Sequence, residues 1–293
     1  MFLKRLLGFK SDNFFFTYFE EDQVPSYYIV PDKAEDSGQI VYKDFHSVKP
    51  WGTGLIFCIP PYLDFGQLLL REGYSAITLC YRSGYLLDFA GFESPDQYLK
   101  KQLGSRALKK INRDFRRLDE KHVVTFEAFF GEIEKKSYQR LMDAFQEMIR
   151  DRFAENADEH TALQRWDFYR DSVFDLILIK KASLFVMYGN GVPISLALNY
   201  HKGTVLDSAV TTFKNDMASY GLGKLMLVKK IQWCFEHGYD KMDLRWGDFE
   251  HKKKLANRVY TFKNQIIYRK GNIIARMRAQ VLAFLLKIKQ QRQ

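Results

Sequence analysis

Two short stretches bring together residue types that could do chemistry. One is Tyr220-Gly221-Leu222-Gly223-Lys224, and the other is Asp243-Leu244-Arg245-Trp246-Gly247-Asp248-Phe249-Glu250-His251-Lys252. The glycines fall between a strand and a helix, where a ligand can approach the backbone and the unpaired N–H groups of the helix start face outward. The helix dipole adds partial positive charge and Lys224 a full one. That combination suits a pyrophosphate, although a plain tight turn uses the same glycines. In the second stretch Asp248 follows a strand end beside Gly247. It reads either as a general base reaching into a cleft or as a cap on the next turn. Lys252 is either an anchor for an acidic group or one more solvated lysine of Lys252-Lys253-Lys254. Asp243 is either a site residue or half of a structural ion pair with Arg245. Trp246 either walls a pocket or fills the core. Tyr220 and Tyr260 are phenols able to protonate a leaving group, or packing residues like others among the 17 tyrosines.

Other chemistries lack their residues. There is no Gly-x-Ser-x-Gly elbow, no His-Glu-x-x-His and no phosphate loop ending in Gly-Lys-Ser/Thr. The six histidines have no ligand spacing, so His122 and His201 read as structural and no metal is expected. Cys58, Cys80 and Cys234 are too few and too scattered for a disulfide framework, which suits a reducing compartment.

The two stretches need a scaffold. Ser183 to Tyr188, Val192 to Tyr200 and Thr204 to Thr212 read as an antiparallel meander, its first turn marked by Asn190-Gly191. A helix follows the glycines, with Leu227, Val228, Ile231, Cys234 and Phe235 on one face and Gly238 closing it. Lys241 to Arg245 is a short strand, Arg258 to Tyr268 a last strand, and Asn272 to about Gln291 a terminal helix. Upstream, strands are expected at Phe14–Phe19, Ile40–Phe45, Leu55–Ile59, Ala76–Tyr81 and Val123–Phe130. Helices are expected at Tyr62–Glu72, from Ser105 to about Lys121, around Leu141 to Ile149, and at Trp166–Ile179 after a polar interruption near Asn156.

The order strand–strand–strand, glycine loop, helix, strand resembles the core of the GNAT acyltransferases. More narrowly, the stretch from Asp243 to Lys252 resembles the Asp…Gly-Asp…(Tyr)-Lys motif of FemAB-type, CelD-like acetyltransferase domains. The basic run Leu108 to Leu118 is similar to the helix that precedes that domain. The likeness covers roughly residues 100–262. It implies a mixed α/β (α+β) fold of tandem GNAT-like halves, each a mostly antiparallel sheet flanked by helices: residues 1–130, residues 131–271 carrying the acyltransferase site, and a basic amphipathic helix at 272–293. It further implies acetyl-CoA or another acyl-CoA as co-substrate. The thioester carbonyl would be held by a main-chain N–H near Val210 and Thr211, and the pyrophosphate by Tyr220, Gly221, Gly223 and Lys224. Asp248, Lys252 and Asp243 would be the catalytic residues. The acceptor would be a small-molecule or lipid-linked amine, such as an amino sugar of envelope polysaccharide. FemAB-type relatives imply aminoacyl-tRNA as an alternative donor. Two positions depart from the pattern: Ala218 stands where the pyrophosphate loop usually opens with Gln or Arg, and His251 replaces the tyrosine before the lysine.

The chain of 293 residues carries a net charge of +10. Residues 250–293 hold 12 Lys/Arg against one acidic residue, whereas the other 249 hold 33 basic and 34 acidic groups. A second basic block, Lys100 to Arg117, has eight cations against Asp114. Localised positive charge points to a phosphate-bearing partner or a solvated face. A non-catalytic nucleic-acid binder is a third class, but the basic segments carry no recognisable RRM, KH or helix-turn-helix signature. Along the terminal helix Ile274, Met277, Val281, Leu285 and Ile288 form one stripe, with Arg276, Arg278, Lys287, Lys289 and Arg292 around it. Met1 to Lys10 is similarly basic and apolar. Such a stripe packs on the protein itself or rests on an anionic membrane surface. With no apolar run of membrane-spanning length and no signal peptide evident, the expectation is a cytoplasmic protein, peripheral on the inner face of the membrane in the second case.

Overall fold

The computed structural model describes residues 10–33, 40–43, 53–62, 69–153 and 161–291. In chain order the first elements are β1 (Lys10–Asn13), a helical turn (Phe16–Glu20), β2 (Tyr28–Lys33), β3 (Ile40–Lys43), β4 (Gly54–Ile59), β5 (Leu69–Leu70) and β6 (Tyr74–Asp88). They are followed by α1 (Pro95–Asp119), β7 (Val124–Phe129), α2 (Lys135–Phe153), α3 (Thr161–Gln164) and α4 (Trp166–Leu178). The remainder is β8 (Ala182–Gly189), β9 (Val192–Lys202), β10 (Val205–Phe213), α5 (Leu222–Glu236), β11 (Lys241–Trp246), α6 (Glu250–Leu255), β12 (Arg258–Arg269) and α7 (Ile273–Gln291). The mixed α/β class with mostly antiparallel pairing is as expected.

The division of the chain is not. One compact unit comprises Met1–Gly84 with Val259–Gln293, and the other Tyr85–Arg258. The expected boundaries after residues 130 and 271 therefore fall inside units. β7 pairs with β8 of the meander, and α7 belongs with the N-terminal segment.

In the second unit the strand order is β11-β10-β9-β8-β7. Asn190 and Gly191 both have positive φ (53° and 77°), which gives the two-residue hairpin between β8 and β9 its matching twist. All of β8 except Tyr188 is buried, so both faces of this inner strand are covered. One cluster joins Phe185, Met187 and Leu206 of the sheet to Ile111 and Leu118 of α1 and to Leu222, Met226 and Ile231 of α5. α2 and α4 pack on β10 and β8. The helix expected from Ser105 begins ten residues earlier. Ser94 accepts from the Gln97 N–H (3.2 Å) while Gln97 Oε1 accepts from the Glu93 N–H (2.7 Å), a variant of the reciprocal N-terminal cap. Gly104 (φ 76°, ψ 160°) kinks the helix just before Ser105.

In the first unit β4 pairs with β1 in parallel and with β12 antiparallel, and β3-β2-β5 form a small separate sheet. Alternation along β4 and β12 sends side chains to two cores. Leu55 and Ile266 meet Leu79, Ala279, Leu282 and Ala283, whereas Ile56 and Ile267 meet Phe14, Tyr27 and Tyr28. The expected strand at Phe14–Phe19 is helical instead. Burial falls on Phe14/Phe15 and Phe19/Glu20, the spacing of one wide helical turn, and an unbroken aromatic run offers no alternation to favour a strand. The expected helix at Tyr62–Glu72 meets strand at Leu69–Leu70; residues 63–68 lie outside the described residues, as do Met1–Phe9 and the interruption near Asn156.

Candidate functional site

β10 and β11 are parallel and paired over three residues: Val205↔Lys241, Leu206↔Met242 and Asp207↔Asp243. Beyond Asp207 and Asp243 they carry no further registered pairs, and β10 continues against β9 alone. Each strand has a local cause for departing. The β10 register slips between Ser208 and Val210, an extra residue of the kind that bends a strand; Ala209 is the one left over. At the end of β11, Arg245 has φ 60° and Gly247, just past the strand, has φ 105°, a left-handed step that turns the chain off the sheet.

Charged groups brace both departures. The Arg245 guanidinium donates through Nε to Asp207 Oδ1 (2.8 Å) and through Nη2 to Asp207 Oδ2 (2.5 Å), with the two side chains 9% and 0% exposed. Burial pushes the Asp207 carboxyl up, and the Arg245 guanidinium opposes the rise. The Arg245 N–H donates to Asp243 Oδ1 at 2.5 Å. From α5, the fully buried Lys230 ammonium donates to Ser208 Oγ and Thr211 Oγ1, both at 2.8 Å, so it spans the β10 bulge. Its pKa is lowered to about 7, chiefly by burial and against the pull of Asp207. On the other strand, Lys252 Nζ donates to the Leu244 (2.6 Å) and Trp246 (2.5 Å) carbonyls. Burial lowers it to about 8.

The second feature lies at the start of α5. Gly221 caps that helix in the left-handed region (φ 69°, ψ 34°), without a side-chain cap. Beside it opens a cleft of about 400 Å³ lined by Tyr220, Gly221 and Lys224 and, from α1, by Lys110, Arg113 and Arg117. Asp114 also lines it and pairs with Arg117 at 3.8 Å. A Cβ on Gly223 would come within 3.1 Å of the Phe213 ring. The helix start with its dipole and four cations give this cleft a chemistry that suits an anion.

The residues singled out in the sequence are thus distributed over distinct settings. Tyr220, Gly221 and Lys224 meet at the cleft, and Gly223 lies in the first turn of the same helix. Val210 and Thr211 are registered opposite Leu198 and Ala197 on β9, and the Thr211 hydroxyl belongs to the Lys230 brace. Asp243 and Lys252 hold the backbone at the end of β11. Asp248 is 73% exposed and 2.9 Å from Lys253 Nζ, and it accepts from the Tyr85 hydroxyl at 2.7 Å. Those hydrogen bonds hold its pKa below the usual carboxylate value. His251 also stays neutral more readily than an isolated histidine, through burial and the nearby Lys252, Arg152 and Lys224. Tyr260 lies in the first unit against Phe262 and Tyr62. Sequence reasoning missed Lys230, Asp207 and Ser208. The signal for Lys230 is its place four residues from both Met226 and Cys234, on the apolar face of α5.

The profile of the acetyltransferase (GNAT) domain family matches residues 105–253, slightly more than half of the chain. No curated protein matches in sequence. Among solved structures, FemX superposes with a TM-score of 0.51 at 11% identity, covering 74% of this chain and 72% of its own. A conserved protein of unknown function from Bacteroides thetaiotaomicron gives 0.47 at 11% identity, covering 74% and 70%. The C-terminal domain of a putative lysylphosphatidylglycerol synthetase from Agrobacterium fabrum gives 0.45 at 17% identity, covering 78% and 72%. The FemX likeness is one of fold.

Proposed function

Because the chain belongs to the GNAT acetyltransferase-domain family, we propose that it moves an acyl group from acyl-CoA to an amine. The observation that carries this reading is the parting of β10 from β11 after three paired residues. A parallel pair that opens in this way leaves a slot between backbones, edged by peptide groups. In this reading the donor's diphosphate rests on the start of α5, against Gly221, Gly223 and Lys224, with Arg113 and Arg117 facing it. The pantetheine arm runs into the slot, and the thioester carbonyl lies against the bulge from Ala209 to Thr211. The amine attacks the thioester carbon, the carbonyl reforms and the thiolate leaves. No covalent enzyme intermediate is needed. Catalysis rests on orientation and on N–H donors fixed before the reaction. Asp248 takes the amine's proton through water, its carboxylate kept ionised by Tyr85 and Lys253. Asp243, Lys230 and Lys252 act as positioning residues that hold the slot open. The acceptor class we infer is an amino sugar or lipid-linked amine of envelope material.

Thermal unfolding with acetyl-CoA and with longer acyl-CoAs tests the donor. At a hundredfold excess over Kd, a ligand bound only by the folded chain adds about 2.7 kcal/mol. For a chain of this size that raises Tm by about 5 °C. No shift with any acyl-CoA overturns the reading.

A second donor, aminoacyl-tRNA, draws support from one feature. α1 adds Lys110, Arg113 and Arg117 to the cleft, more cations than one diphosphate requires. Stabilisation by tRNA that falls steeply with salt, without any by acyl-CoA, selects it.

A further inference from the structure

Among the described residues, eleven large apolar side chains are exposed, and five of them lie on α7: Ile273 (74%), Ile274 (66%), Met277 (59%), Val281 (50%) and Phe284 (64%). At about 100° per residue these five share one arc of about 100° along the helix. The helix packs on its own unit through the opposite side, where Ala279, Leu282 and Ala283 are buried. Much of the apolar stripe read from the sequence therefore does not pack on the protein; two alanines, Leu282 and Leu286 do that work. Scattered exposed apolar residues are ordinary, but a contiguous row marks an interaction surface.

The charges around the row identify the partner. Arg276 and Lys287 project along one border, and Arg278 and Lys289 along the other, on the same helical geometry. The helix contains no acidic residue, and Arg269 and Lys270 immediately precede it. Two copies meeting through this face would bring these cations against one another with no acid on the helix to pair them. A neutral apolar partner would leave them unused. An anionic lipid surface satisfies both parts, taking the apolar row into the acyl boundary and the cations to the headgroups. No described helix is long and apolar enough to cross a membrane, so α7 would lie in the plane of the interface.

We propose that the exposed face of α7 docks the protein on an anionic phospholipid bilayer through Ile273, Ile274, Met277, Val281 and Phe284, with Arg276, Arg278, Lys287 and Lys289 on the headgroups. The inference is independent of the acyl donor, because it concerns a surface of the other unit.

Vesicle flotation tests it, using phosphatidylcholine vesicles with and without phosphatidylglycerol. The full chain floats with the anionic vesicles at low salt, and binding weakens as salt rises. Neutralising one border residue lowers binding about fivefold. The triple change Arg276→Gln, Arg278→Gln, Lys287→Gln lowers it about a hundredfold. The double change Ile274→Asp, Phe284→Asp abolishes flotation while circular dichroism stays that of the parent. Failure to float at low salt overturns the proposal, as does unchanged binding by both variants. A dimer in sedimentation velocity that Ile274→Asp dissolves would assign the face to a second copy and likewise overturn it.

Discussion

α5 and α7 depart from the usual helix pattern in opposite senses. α5 carries an ammonium, Lys230, into the core at 1% exposure. α7 turns a row of large apolar side chains into solvent. The first exception lies beside a sheet that opens, held by two hydroxyls and the Asp207–Arg245 pair. The second lies on a surface with nothing described against it. Buried charge is compensated at close range, so removing one member should cost much stability. Exposed apolar surface is compensated by nothing among the described residues, so removing it should cost almost none. The contrast separates a side chain needed to build a site from one kept for a partner.

The largest effect is expected at the ion pair that joins β10 to β11. Arg245→Leu leaves the fully buried Asp207 carboxylate facing an apolar group, which costs about 3–5 kcal/mol. Chemical denaturation measures it. The double change Arg245→Leu, Asp207→Leu should recover most of the loss, because the unpaired charge is then gone. A single variant as stable as the parent would break the comparison at once.

Lys230→Met comes next. It leaves the Ser208 and Thr211 hydroxyls without their donor, at about 1–3 kcal/mol. The pH dependence sharpens the test. The Lys230 pKa is lowered to about 7 when folded, against about 10.4 for an unperturbed lysine. Between those values the unfolded chain holds a proton that the folded chain has lost, so stability rises with pH. It rises by up to about 1.4 kcal/mol per pH unit for one group. Below about pH 7 both states are protonated and this contribution is flat. Lys252, lowered to about 8, adds a slope of the same sign from about pH 8 upward. The Met variant should therefore lose the slope between about pH 7 and 8 and keep a shallower one above. An unchanged slope from pH 7 to 8 would remove Lys230 as the titrating brace.

How much of this the sequence disclosed follows from range. Local features were legible. Asn190-Gly191 makes its hairpin whatever surrounds it, and Gly221 and Gly238, both with positive φ, bound α5. The Ser94-Pro95-Asp96-Gln97 cap is equally local, and it, rather than Ser105, starts α1. Features set by distant partners were not legible. The split rests on a slip at Ala209 and a left-handed Arg245, neither residue being a type that announces an irregular strand. Arg245 adopts that conformation while held by Asp207, 38 positions away. The unit division depends on β12 and α7 joining β4 across about two hundred residues. Asp248 and Lys252 were found by motif, but composition does not distinguish a lysine bound to carbonyls from one facing a ligand.

A smaller effect is expected at the mouth of α5, where the comparison passes from structure to binding. Arg113→Ala with Lys224→Ala removes two of the four cleft cations, both of them exposed side chains outside the core. The variant should weaken acetyl-CoA by about tenfold, or about 1.4 kcal/mol, as isothermal titration would show. Its Tm without ligand should match that of the parent. If affinity is unchanged, the diphosphate lies elsewhere, and α5 serves the slot through Lys230 alone.

The smallest effect belongs to α7 and completes the contrast. Met277→Ser and Val281→Ser, singly or together, should change stability by no more than about 0.5 kcal/mol. Half or more of each side chain already meets water in the folded chain, so little apolar area is lost from burial. Differential scanning calorimetry on dilute protein should give Tm values within a degree of the parent. The same double variant should bind anionic vesicles more weakly, because those side chains become buried only there. A stability loss above about 1 kcal/mol would mean that the row is covered in solution, by another segment or a second copy. α7 would then be an ordinary packed helix and its likeness in kind to the α5 exception would vanish.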